Sequence, residues 1–167
     1  MPVILITGGA RSGKSTRAEA RAQDFAGKPV YIATAEAFDH EMRERIAKHR
    51  ARRGNDWIEH ETPLELVAAL NATDGGGARL VDCLTLWLSN LMHDGRDWTR
   101  EAAALVEALK AQRSPVVLVT NEVGSGIVPD NALAREFRDA AGFINQTIAR
   151  AADEVEFVVA GLPMRVK

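Results

Sequence analysis

Val3-Ile4-Leu5-Ile6-Thr7-Gly8-Gly9-Ala10-Arg11-Ser12-Gly13-Lys14-Ser15 is a short apolar run that feeds a glycine-rich turn and then a helix-forming segment. The turn fits the G-x-x-x-x-G-K-S pattern of a Walker A loop without a mismatch. A phosphate chain needs several backbone N–H groups turned inward, and Gly8, Gly9 and Gly13 allow the tight backbone that a Cβ would obstruct. Lys14 supplies positive charge for the β- and γ-phosphates. Ser15 offers a hydroxyl to Mg²⁺, and the helix that starts there adds its N-terminal dipole. A plain glycine turn with Lys14 merely exposed would need neither the apolar strand before it nor the helix after it. The context therefore favours a phosphate site.

With 167 residues the chain is long enough for one ordinary core and too short for two separate ones, so residues 1–167 are read as a single nucleotide-binding catalytic domain. Its 21 basic and 23 acidic residues leave a formal charge of -2, which gives no overall field for nucleic acid. Cys83 is the lone cysteine, and no internal disulfide can form. The N-terminus has no charged n-region, and no apolar run approaches a membrane span. The expectation is a soluble, cytoplasmic protein.

Downstream of the loop, Lys14 to Phe25 reads as a helix closed by Gly27 and Pro29, and Val30 to Thr34 as a buried strand. Asp39 is placed to cap a helix running to about Arg53, with Phe38, Met42 and Ile46 on its inner face and His49 on or beside it. Trp57 to Glu61 alternates like a short strand. Thr62-Pro63-Leu64-Glu65 has the form of a capping box with Pro at the first helical position. Ala78 to Cys83 reads as a core strand ending in Asp82, Leu84 to Met92 as a buried helix, Thr99 to Gln112 as another helix, and Val116 to Thr120 as a central parallel strand. Asp130 is expected to cap a long helix with Leu133, Phe137, Ile144 and Ile148 facing inward, and Val155 to Ala160 to form the last strand. Gly161-Leu162-Pro163 then bends the tail away. Strands alternating with helices argue for an α/β architecture, a mostly parallel sheet with helices on both faces and a ligand site at the strands' carboxyl ends. With the P-loop, this points to a three-layer, RecA-like P-loop NTPase fold.

Several residues at those strand ends can carry chemistry. Asp82 stands where a Walker B acid would hold Mg²⁺, a reading favoured over that of a capping or loop aspartate. Glu122 can hold a metal, act as a base, or be a solvated loop acid. Residues Arg43 to Arg53 are densely basic, suited to neutralising phosphate charge or simply to a solvated helix face. His49 can attack phosphorus as a neutral imidazole, or be structural.

The matching strings Thr7 to Ser15, Tyr31-Ile32-Ala33-Thr34, Arg45-Ile46 with His49, Val119-Thr120-Asn121-Glu122-Val123-Gly124 and Gly126-Ile127-Val128-Pro129 continue through Ala134-Arg135, Phe137-Arg138-Asp139, Gly142, Asn145-Gln146 and Ala152 to Val155. On these the chain resembles, end to end, the bifunctional adenosylcobinamide kinase and adenosylcobinamide-phosphate guanylyltransferase of cobalamin biosynthesis. The resemblance implies two reactions. The γ-phosphoryl of ATP or GTP passes to adenosylcobinamide, and GMP from GTP then passes through a histidine, matched by His49, to the corrinoid phosphate to give adenosylcobinamide-GDP. It further implies that Ala33, Thr34, Ala35, Arg50, Ala51, Arg52, Arg53, Glu61 and Asp82 line the nucleotide site with Gly8 to Ser15, and that the chain forms a homotrimer. Glu61 is a candidate acceptor for the guanine N1 and N2 donors. A small-molecule kinase with a structural His49 is the first rival. A nucleotide-gated switch is the second, although no Asn-Lys-x-Asp guanine-reading run is present.

Overall fold

The computed structural model describes residues 1–36, 44, 47, 50–51 and 54–167. Among the described residues, seven strands form one sheet: β1 Val3–Gly8, β2 Val30–Ala33, β3 Ile58–Glu61, β4 Arg79–Asp82, β5 Val116–Asn121, β6 Glu154–Val159 and β7 Leu162–Arg165. Their order is β3-β2-β4-β5-β1-β6-β7. Every neighbouring pair is parallel except β6 and β7.

The α-helices whose bounds lie among the described residues are α1 Lys14–Gln23, α2 Leu66–Ala72, α3 Leu84–His93, α4 Trp98–Ala111 and α5 Ala132–Ala151. Period-two alternation sorts the strands' side chains into two cores. Val3, Leu5, Val30, Ile32, Val81, Val116 and Leu118 pack with α2, α3, α4 and α5 on one face. Ile4, Ile6, Tyr31, Leu80, Val117, Val119 and Val158 pack on the other, against Ala18 and Ala22 of α1. Burial on both faces is why β1 and β5 read as unbroken apolar runs. The three-layer, mostly parallel α/β fold is thus present.

Local differences from the sequence reading have physical reasons. Thr62-Pro63-Leu64-Glu65 does not form a capping box: α2 begins only at Leu66, with no side-chain cap from Glu65. The Pro63 and Leu64 carbonyls instead accept hydrogen bonds from Asn90 Nδ2 and Trp87 Nε1, so α3 holds that segment in a bend outside the helix. Asn131, not Asp130, caps α5, accepting from the Ala134 N–H. Leu133 is 68% exposed rather than inward, whereas Ile144 and Ile148 are buried and Phe137 packs at the core margin. The tail does not bend away. Ala160 and Gly161 both take positive φ, the geometry of a tight two-residue hairpin, and return the chain as β7 beside β6. The helix expected from Asp39 to Arg53 lies mostly outside the described residues.

The amino ends of the strands carry a buried charge. Arg79, at the start of β4, is fully buried, with Nη1 3.1 Å from Asp74 Oδ1 and Nη2 donating to Gln112 Oε1. Asp74 also accepts from the backbone N–H groups of Arg113 and Ser114. Burial raises its pKa, but these donors and the neighbouring guanidinium groups outweigh it and hold the carboxyl at about 2, against an ordinary 3.8. A depressed pKa contributes stability that is complete above the ordinary value and is lost as the pH falls toward the folded one. Asp74→Asn leaves Arg79 buried without its counter-charge, so urea unfolding at neutral pH is expected to show a loss of about 3 kcal/mol. Between about pH 4 and pH 2 the variant's stability falls less steeply than the wild type's.

Candidate functional site

The site is built where the chain changes sides. From β1 it passes into α1, which covers one face of the sheet. From the adjacent β5 it passes into α5, which covers the other. Neighbouring parallel strands whose connections diverge in this way leave a crevice at their carboxyl ends. Gly8 of β1 and Asn121 of β5 are paired there.

Gly8 lets the turn close, since a Cβ on it would stand 2.6 Å from the Val158 carbonyl oxygen and 2.7 Å from Ser12 Oγ. Gly13 sits at φ 94 immediately before α1, and Arg11 is also left-handed at φ 56. The loop is braced from outside by the Gly161 N–H, which donates to the Ser12 carbonyl at 2.8 Å. The start of α1 has no side-chain cap and no acidic residue in its first turn, whereas Asp97 and Asn131 cap α4 and α5. Its first amides are therefore open to an anion. Lys14 Nζ donates to the Gly9 carbonyl at 3.0 Å, curling back over the loop. Thr7 Oγ1 and Ser12 Oγ are buried without a hydrogen-bond partner among the described residues.

Ion pairs fix α1 to β6. Arg17 Nε lies 2.7 Å and Arg21 Nη1 2.6 Å from the carboxylate of Glu156, and Arg21 also reaches Glu154 at 3.0 Å. The Arg17 hydrogen bond, working against burial, lowers the Glu156 pKa.

Across the crevice, Asp82 ends β4 in register with Ala33 of β2, which is in turn paired with Glu61 of β3. Tyr31 Oη donates to Asp82 Oδ2 at 2.5 Å, leaving the other carboxylate oxygen for a cation or its waters. Ser15 Oγ makes no hydrogen bond among the described residues. One hydroxyl and one carboxylate suit Mg²⁺, which keeps waters and takes phosphate oxygens as further ligands. The Cys83 thiol is pushed up to about 11, by burial first and by the neighbouring Asp82 charge second.

The residues picked out from the sequence differ in their burial and in the partners they bond. Thr34 is fully buried, its hydroxyl donating to the Cys83 carbonyl and accepting from the Cys83 N–H, both at 2.8 Å. It holds β4 in place. Ala33 and Ala35 are half-buried at the end of β2, and Ala10 and Arg11 are exposed at the loop tip. Arg50 Nε and Nη2 pair with Glu59 at 2.5 Å and with Glu61 at 2.7 Å. The Glu61 oxygen assigned to guanine is thus engaged by an arginine, in an exposed pair that exchanges readily. Ala51 is exposed. His49, Arg52 and Arg53 lie outside the described residues.

Sequence reading passed over Tyr31 as a partner of Asp82, and the side chains that fasten the end of β5. Thr85 Oγ1 accepts from the Asn121 N–H at 2.8 Å, and Asn145 Nδ2 donates to the Asn121 carbonyl at 3.1 Å. Thr120 Oγ1 donates to Asn145 Oδ1 at 2.7 Å and lies 3.3 Å from Thr85 Oγ1. The only signal in the sequence was the string Thr120-Asn121 itself.

A sheet of this topology with a glycine-cradled, lysine-bearing turn at its switch point defines a P-loop nucleotide-binding protein. Over residues 4–166 the sequence matches the family described as cobinamide kinase / cobinamide phosphate guanyltransferase, and the chain belongs to that family. It is 48% identical over 166 residues to the bifunctional adenosylcobalamin biosynthesis protein CobP of Pseudomonas aeruginosa, covering 98% of this chain and 96% of that one. To the bifunctional adenosylcobalamin biosynthesis protein CobU of Salmonella typhimurium it is 43% identical over 183 residues, covering 99% of each. Among solved structures, an ATPase from the type III secretion system of pathogenic bacteria superposes with a TM-score of 0.59 at 12% identity, over 98% of this chain and 56% of that one. The KaiC-like protein PH0186 of Pyrococcus horikoshii gives 0.55 at 14% identity, over 93% and 70%. These two share the fold.

Gly8→Ala is expected to weaken ATP binding by at least about tenfold in calorimetric titration and to lower the melting temperature by several degrees, because a backbone carbonyl must shift to admit the methyl group. Gly9→Ala is the contrast: its Cβ would meet nothing within 4 Å, and the melting temperature stays at the wild-type value.

Proposed function

We propose that this chain carries out two successive transfers in the assembly of the cobalamin nucleotide loop. It first phosphorylates adenosylcobinamide with ATP or GTP. It then transfers GMP from GTP onto the resulting corrinoid phosphate, giving adenosylcobinamide-GDP. The observation that carries this reading is the Walker A cradle at the switch point, in a chain nearly half identical over its whole length to a bifunctional cobalamin-biosynthesis protein.

In the first transfer, the loop amides and the open N-terminus of α1 hold the phosphates, and Lys14 exchanges the Gly9 carbonyl for β- and γ-phosphate oxygens. Arg11, at the loop tip, adds charge. The aminopropanol hydroxyl of adenosylcobinamide forms the new P–O bond, the bond from the γ-phosphorus to the β-γ bridging oxygen breaks, and the hydroxyl proton leaves to a base or solvent. Ser15 and Asp82 would hold Mg²⁺, which would neutralise charge developing on the phosphates. Tyr31 fixes the carboxylate of Asp82 for that role.

In the second transfer, an imidazole nitrogen of His49 attacks the α-phosphorus of GTP and pyrophosphate leaves. A phosphate oxygen of the corrinoid then displaces the histidine, breaking the P–N bond and restoring the neutral ring. Arg50, Arg52 and Arg53 flank His49 in sequence and neutralise the triphosphate, and Ala33, Thr34, Ala35 and Ala51 complete the nucleotide's surroundings. Glu61 reads the guanine edge once it exchanges Arg50 for the base. The enzyme works in the cytoplasm as a homotrimer.

A phosphoramidate is labile in acid and stable in alkali. Incubation with α-³²P-labelled GTP is expected to leave label on the protein that survives base and is released by acid, and His49→Ala is expected to carry none. Label retained on His49→Ala removes the nucleophile assignment. Adenosylcobinamide phosphorylated by a wild type that never takes up label identifies a kinase without the second activity. Light scattering of the purified protein is expected to give three copies per particle, and a monomer would count against the trimer.

A further inference from the structure

Beyond β5 the chain does not turn straight into α5. Residues 122–131 intervene at the carboxyl edge of the sheet, and the Glu122 N–H donates to the Gly8 carbonyl at 3.0 Å, so the segment is rooted beside the first glycine of the cradle. From Val123 to Pro129 it carries no charged side chain, although Glu122 and Asp130 bound it. Ile127 is 98% exposed and Val128 63%, and Val123 and Leu133 are exposed as well. The other exposed large apolar side chains among the described residues lie at the termini, on β3, midway along α5 and on the β6–β7 hairpin. Single apolar residues on a surface are ordinary, but three aliphatic side chains within residues 123–129, at the rim of a crevice, make a patch that calls for a partner.

The patch is held in place rather than left loose. The Gly124 N–H donates to Glu122 Oε1 at 2.6 Å, which folds that acid back on the root of the segment. At the other end Arg135 Nη1 donates to the carbonyls of Pro129 and Asp130, both at 2.9 Å, and Asn131 caps α5. Between those anchors the N–H groups of Ser125, Gly126 and Ile127 make no hydrogen bond among the described residues. The stretch thus offers aliphatic surface and free amide donors, and no charge. A corrin macrocycle presents the complement, methyl groups and uncharged carboxamides around its rim. It is also wider than the spacing of neighbouring strands, about 4.8 Å, so the ring stays outside the crevice while its aminopropanol arm reaches in.

We infer that Val123, Ile127 and Val128 form the rest on which the corrinoid rim lies while its hydroxyl meets the nucleotide. The inference rests on the corrinoid reading of the site and is independent of His49. These residues act on the affinity for the corrinoid and leave the phosphoryl transfer itself untouched.

Initial rates of adenosylcobinamide phosphorylation by the full chain, with calorimetric titration of β,γ-imido-ATP and light scattering alongside, test it. Ile127→Asp is expected to raise KM for adenosylcobinamide by about tenfold, the order expected when an aliphatic contact is replaced by a charge without a partner. Its kcat, its affinity for imido-ATP and its particle mass stay within about twofold of the wild type, and an exposed position leaves the melting temperature unchanged. Ile127→Leu keeps the wild-type KM, and the double variant Ile127→Asp, Val128→Asp raises it further. Met164→Asp places the same charge at an exposed apolar position on β7, away from the crevice, and leaves KM unchanged. An unaltered KM in Ile127→Asp overturns the inference, as does an equal loss of imido-ATP affinity. A raised KM accompanied by fewer copies per particle also overturns it, since a second copy of the chain then covers the patch. Each of those results leaves the corrinoid reading standing. A wild type that binds imido-ATP but leaves adenosylcobinamide unphosphorylated overturns that reading and this inference with it.

Discussion

Two neighbouring parallel strands whose connections leave on opposite faces cannot both be covered at their carboxyl ends, and in this chain those strands are β1 and β5. The gap between α1 and α5 follows from that divergence rather than from any single side chain. The central strands β1, β2, β4 and β5 are buried on both faces and are held mainly by backbone hydrogen bonding and apolar packing. Apart from the ion pairs of Arg79 and Glu156, the side chains that can meet a ligand gather at the edge where the strands end. Gly8, Asn121, Asp82, Ala33 and Glu61 reach that edge through strand register and not through loops of arbitrary shape.

The crevice would be of little use if its walls could drift. α1 presents its open amides only while it stays at one angle to β1, and the paired guanidinium groups on Glu156 fix that angle from a strand on the far side of β1. The other wall is secured from the helix face opposite α1, by side chains of α3 and α5 that seize the backbone of Asn121. Each wall of the site is thus anchored by residues that do not themselves face it.

How much of this could be read from the sequence depended on the range of the interaction concerned. The loop, the apolar strands and the layer order were legible because each is written in consecutive residues: glycines at fixed spacing, unbroken β-branched runs, helices between them. Thr62 to Glu65 looked like a helix start because its local pattern is one, but bonds from Trp87 and Asn90, more than twenty positions away, decided the matter. Leu133 matched a helical period whose first turn projects past the edge of the core. The return strand β7 hinged on Ala160 accepting a left-handed conformation that alanine seldom adopts. Thr34 was rightly placed at a strand end, yet burial turned its hydroxyl inward to the neighbouring strand. The ring around Asn121 joins positions 85, 120, 121 and 145, and no local pattern announces such a circuit.

The bond from Lys14 to the Gly9 carbonyl gives the cradle a provisional occupant. A long cationic side chain ordinarily surrenders about 2 kcal/mol of rotamer freedom when it is immobilised. Here much of that loss falls at folding, before any nucleotide arrives. On the proposed function, a phosphate oxygen would replace the Gly9 carbonyl as one acceptor of this side chain, an anionic oxygen in place of a neutral one. Lys14 is accordingly folded back on the very turn that carries it, with its charge held over the glycine loop.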